Sequence, residues 1–75
     1  METYGEIKDQ VIDGRKCSVE PHEDGGMTIR FFWDSWFVRA DGTGKAVNHN
    51  GQNRWHEDLD EYQRAAVAEW KQSQG

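Results

Sequence analysis

The sequence predicts an α+β fold: an antiparallel meander of four to five strands with one C-terminal helix packed on one face. Three features carry that prediction. Large apolar and other side chains alternate from Met27 to Ala40, which is the period of a strand. Asp13-Gly14 stands between two short apolar-containing runs, and Asp-Gly is a favoured two-residue hairpin turn. After Asp58 the apolar spacing lengthens to that of a helix.

Taken in order, Gln10-Val11-Ile12 and Lys16-Cys17-Ser18-Val19 form the first hairpin around Asp13-Gly14. Pro21 and Asp24-Gly25-Gly26 mark a loop. Met27, Ile29, Phe31 and Trp33 then alternate with Thr28, Arg30 and Phe32. Asp34-Ser35 is read as the next two-residue turn, after which Trp36, Val38 and Ala40 alternate with Phe37 and Arg39. Asp41-Gly42-Thr43-Gly44 makes a further turn into Lys45-Ala46-Val47, and Asn50-Gly51 a last one before Gln52 to Trp55. The helix is expected over roughly residues 58–73. Asp58 and Glu61 form its capping box, and Leu59, Tyr62, Ala66 and Trp70 make its apolar stripe. No repeat or linker interrupts the chain, so residues 1–75 are read as a single domain.

Composition narrows the function classes. A core of this size supplies only about 3–5 kcal/mol of net stability. A deep, water-free active site would be hard to support, and the chain is not expected to be an enzyme. Charged residues make up 31% and mean hydropathy is -1.04. No apolar run reaches the ~20 residues of a membrane span, and the first residues carry no secretory pattern. The single Cys17 cannot form an internal disulfide. A complete short reading frame acting in the cytoplasm is the expectation. Four Trp, three Phe and two Tyr argue for a packed core rather than a solvated tail.

The net charge of -5 is unevenly spread. Residues 1–26 carry three cations and seven acids, residues 27–56 four cations and two acids, and residues 57–75 two cations and five acids. A mildly basic, aromatic centre lies between acidic ends, which bears on partners rather than on fold.

With Asp34-Ser35 as the turn, Phe32 opposes Phe37 and Arg30 opposes Arg39, all on one sheet face. The other face carries Ile29, Phe31, Trp33, Trp36, Val38 and Ala40 for the helix to cover. A single helix covers one face only. Arg30, Phe32, Phe37 and Arg39, with Trp55 at the rim, are therefore the candidate partner-binding residues, since aromatic and Arg side chains are enriched at interface hot spots. The bland reading is that the Pro21–Gly26 loop or the first hairpin covers the Phe residues and Glu20 or Glu23 pairs with the Arg residues.

Other chemistry is weaker. Cys17, His22, His49 and His56 lack the close pairs of a zinc site. Asn48-His49-Asn50 is a fragment of a nuclease pattern without a second ligand set, and equally plain turn chemistry. Glu57, Asp58, Asp60 and Glu61 fall where a helix favours acids. Cys17 is on the inward phase of its strand, unsuited to a nucleophile. No metal or cofactor is expected. The reading is a small acidic protein-binding module, an inhibitor or adaptor of phage or mobile-element type, whose partner is another protein or a second copy in a homodimer. A weak single-stranded nucleic-acid-binding domain is the alternative, opposed by the net charge because phosphate neutralisation dominates such affinity. So is an acidic nucleic-acid mimic that inhibits a nucleic-acid-binding protein.

Overall fold

The structure is a computed structural model that describes residues 7–48 and 56–74. Its element order is β1 (Ile7–Ile12), β2 (Arg15–Pro21), β3 (Met27–Arg30), β4 (Asp34–Val38), β5 (Gly44–Asn48), β6 (His56–Asp58) and α1 (Glu61–Gln74). The six strands form one antiparallel sheet in sequence order, and the helix follows. The α+β meander is as the sequence predicts, with six strands rather than four or five.

The first hairpin closes across Asp13-Gly14, whose φ angles are 61° and 71°. Both are positive, as a primed turn requires and as Gly tolerates without strain. β1 carries a register shift between Ile7 and Gln10, with Asp9 at φ 60°. Such a bulge bends and blunts an edge strand.

The second hairpin corrects the sequence reading. Ile29 pairs with Trp36 and Arg30 with Ser35. The Phe31 N–H donates to the Asp34 carbonyl at 2.8 Å. The chain therefore reverses across Phe32-Trp33, and Asp34-Ser35 opens β4. Phe31 turns its ring inward, edge-on to Trp36 with centroids 4.7 Å apart. Phe31 is thus inward, as the alternation places it, and its seat against Trp36 holds the reversal directly after it. The turn lies two residues earlier than expected. Two is even, so the side-chain faces survive: Met27, Ile29, Trp36 and Val38 are buried together, as read from the alternation. Trp33 and Ala40, expected beside them, are exposed.

The helix begins later than expected because His56–Asp58 pairs with β5 as a sixth strand. Its cap is Asp60. The Gln63 N–H donates to Asp60 Oδ1 at 2.8 Å, and the Asp60 N–H donates to Gln63 Oε1 at 2.9 Å, a reciprocal capping box. The apolar stripe differs in two positions. Val67 is buried, whereas Tyr62 is 66% exposed at the rim. Leu59 is buried, and Ala66 and Trp70 pack at the edge of the core. That core joins Ile12, Cys17, Val19, Met27, Ile29, Phe31, Trp36 and Val38 to Leu59 and Val67. The expected turn at Asn50-Gly51 and strand from Gln52 lie outside the described residues.

Candidate functional site

The five residues expected to form one surface are separated. Phe32 sits in the β3–β4 turn, 84% exposed. Phe37 lies within β4, 43% exposed, opposite Thr28 on one side and Lys45 on the other. Arg30 ends β3 and pairs with Glu20 at 2.9 Å. Arg39 belongs to the β4–β5 turn, where its N–H donates to the Thr43 carbonyl and its Nη1 to Thr43 Oγ1. Trp55 lies outside the described residues. The expected oppositions of Phe32 with Phe37 and of Arg30 with Arg39 are absent, because both depended on a turn at Asp34-Ser35.

Arg30 and Phe37 do share the sheet face that points away from the core, one diagonal apart across β3 and β4. That face is not bare. Thr28, Ser35 and Val47 on it are buried. Thr28 Oγ1 is 2.8 Å from His22 Nε2, so the β2–β3 loop reaches over it. The Arg30–Glu20 pair also matches the bland reading of that face.

The structure gathers exposed aromatic surface at the β3–β4 turn instead. Phe32 and Trp33 meet edge to face, with centroids 4.6 Å apart, and Trp33 is 55% exposed. Arg15 braces their base. Its guanidinium lies 4.1 Å from the Phe31 ring centroid and 5.7 Å from that of Trp36. It also contacts Asp34 at 3.3 Å and Asp13 at 3.7 Å, tying the β1–β2 and β3–β4 turns together. Asp13 in turn accepts the Tyr62 hydroxyl, which pushes the phenol up from its ordinary value because ionising it would face that carboxylate.

Sequence reading assigned Trp33 to the core and gave Arg15 no role. No local signal separated Trp33 from Phe31: neighbours on a strand face opposite ways, so alternation alone places Trp33 inward with Phe31. Cys17 is buried, and burial pushes its thiol up, away from nucleophile chemistry. Among the described residues, no group of three His, Cys, Asp or Glu side chains converges as metal ligands, and no helix is long and apolar enough to cross a membrane. No protein-family model, curated protein or solved structure matches the chain.

Proposed function

We propose that the chain is a small cytoplasmic protein-binding module, an inhibitor or adaptor, that engages another protein through the β3–β4 turn. The observation that carries this reading is the exposed Phe32–Trp33 pair. Arg30 stands at the foot of the same turn, and Phe37 lies farther along β4 on the sheet face that points away from the core. Arg39 lies in a different turn and contributes least.

Magnitudes favour a contact of this kind. Covering the exposed parts of the two rings would remove on the order of 300 Å² from water. At roughly 25 cal/mol per Å² that is about 7 kcal/mol before association costs. Aromatic anchors of this type are the side chains whose truncation costs a complex about 2 kcal/mol or more. Asp34 beside the turn and the net charge of -5 weigh against a nucleic-acid phosphate as the main contact.

The test is affinity capture with wild type and a Phe32→Ser/Trp33→Ser variant, followed by titration of each captured protein in purified form. The variant should keep the wild-type circular dichroism spectrum and lose affinity at least tenfold. Equal affinity of the two proteins for every purified partner would remove the turn as the contact. Capture of nucleic acid alone would favour the single-stranded binding alternative.

A further inference from the structure

A second concave surface lies away from the aromatic turn. An open groove of about 640 Å³ runs between α1 and the β1–β2 hairpin. Tyr62 and Trp70 both line it, with Ser73 a further turn along the helix. They are eight residues apart on one helix, so about 12 Å separates them along the axis. Both rings are held in place. The Tyr62 hydroxyl donates to Asp13, and Trp70 Nε1–H donates to Gln10 Oε1 at 3.1 Å. The floor between them is small or apolar: Ala65 and Ala66 from the helix, Val11 and Ile12 from β1.

The charge of the lining has one sign. Asp13 and Glu69 line the groove, and among the described residues no Lys or Arg does. Asp13 is shared with Arg15 and Tyr62. Glu69 has no ion-pair partner among the described residues, and its neighbour Trp70 lines the same groove. The β1 strand beside the groove is an edge of the sheet, so among the described residues its outer main-chain groups face no other strand. Such an edge accepts an extended segment.

We propose that this groove binds an extended apolar–basic peptide segment of another protein. Three to four extended residues span about 12 Å. An apolar side chain would sit over Ala65 and Ala66 between the rings, and a flanking Lys or Arg would meet Glu69. Charge complementarity selects this occupant. The lining repels phosphates and acidic segments, and a cation beside Trp70 gains from the ring face as well as from the carboxylate. The proposal rests on the reading of the chain as a protein-binding module, but not on the Phe32–Trp33 turn.

The probe is a fluorescein-labelled Lys-Leu-Ala-Leu-Lys peptide, titrated by anisotropy against the full chain. Four proteins are compared: wild type, Glu69→Lys, Ala65→Trp and Phe32→Ser/Trp33→Ser. Ala65 and Glu69 are exposed helix positions, so both groove variants should fold, which circular dichroism checks. Wild type should bind saturably. Glu69→Lys should weaken binding about fivefold, the range of an exposed ion pair turned repulsive. Ala65→Trp should abolish binding by filling the floor. The turn variant should bind as wild type does, so loss of the turn's partner and loss of the groove's peptide are separate results. A control peptide with Glu in place of Lys should not bind. The proposal is overturned by absence of saturable binding up to about 1 mM, or by equal affinity in wild type and both groove variants. Concentration-dependent self-association that Ala65→Trp abolishes would also overturn it, since the occupant would then be a second copy.

Discussion

Replacing Val67 by Ala tests whether α1 is held to the sheet by the contacts described. Within α1 only Val67 is fully buried, at 2% exposure. Truncation to Ala removes two buried carbon groups at about 0.8 kcal/mol each. The void left behind is on the order of 50 Å³ and adds about 1 kcal/mol if the site does not collapse. Ala is the better helix former and returns about 0.5 kcal/mol. The net cost is about 2 kcal/mol. A domain this small has only about 3–5 kcal/mol to lose, and Tm falls by about 4–8 °C per kcal/mol. A drop of about 8–16 °C follows. The assay is urea unfolding followed in parallel by far-ultraviolet circular dichroism and by tryptophan fluorescence, to which the buried Trp36 contributes. Ala68→Val, at an exposed neighbour, isolates the propensity effect and should cost only about 0.5 kcal/mol. A Val67→Ala cost below that of Ala68→Val would refute the packing of α1 on the sheet.

Three further outcomes follow from the same geometry. Gly44→Ala would drive a Cβ into the Phe37 carbonyl of the paired strand, where backbone cannot yield. Most of the native circular dichroism signal should be lost at 37 °C. Arg15→Ala removes the guanidinium stacked on Phe31 and its contacts with Asp13 and Asp34. Its side chain is 44% exposed, so the ion pairs count for little and the total cost is about 1–2 kcal/mol by urea unfolding. Alkaline pH should destabilise the fold through Cys17 and Tyr62, whose folded-state values lie above the ordinary 9.0 and 10.0. Each favours the protonated form in the folded state. That stabilisation is complete below the unfolded value and is lost as pH rises through the folded one. Urea midpoints should therefore fall from about pH 9 upward, and Cys17→Ala with Tyr62→Phe should flatten that slope.

The sequence revealed those parts of the fold that depend on short-range rules. Asp13-Gly14 was legible because few residue pairs accept two positive φ angles. The alternation of Met27, Ile29, Trp36 and Val38 was legible because a strand's faces repeat every two residues. The turn between them was not. Asp34-Ser35 and Phe32-Trp33 differ by two residues, both choices keep Met27, Ile29, Trp36 and Val38 inward, and local chemistry does not separate them. What separates them is tertiary: the seat for Phe31 against Trp36 and the reach of Arg15 to Asp34 from a strand nineteen residues away. The helix cap failed for a related reason. Asp58 and Asp60 are both competent N-cap residues, and pairing of residues 56–58 with β5 took the first. The candidate surface inherited the turn error. Phe32 and Phe37 were rightly kept out of the core, yet they are not opposed, and Trp33 was assigned to the wrong side.

The aromatic turn is exposed because the chain around it leaves no alternative. Phe31 occupies the inward position, the reversal is only two residues long, and the Phe31–Asp34 hydrogen bond closes it. Phe32 and Trp33 already rest on each other, so part of the rotamer freedom that binding would remove is already restricted. Exposed apolar area held this way could be covered by a second copy or by a different protein. Two copies meeting turn to turn would bring together two chains of net charge -5, with Arg15 offsetting only part of the charge of Asp13 and Asp34. Like charges set against each other cost an interface several kcal/mol. A partner carrying cations around an apolar recess meets the same aromatic pair and gains where the self-contact loses. Under the proposed reading, the net charge of -5 thus favours a different, basic-rimmed protein over self-association, and raising the salt concentration should narrow the difference between them.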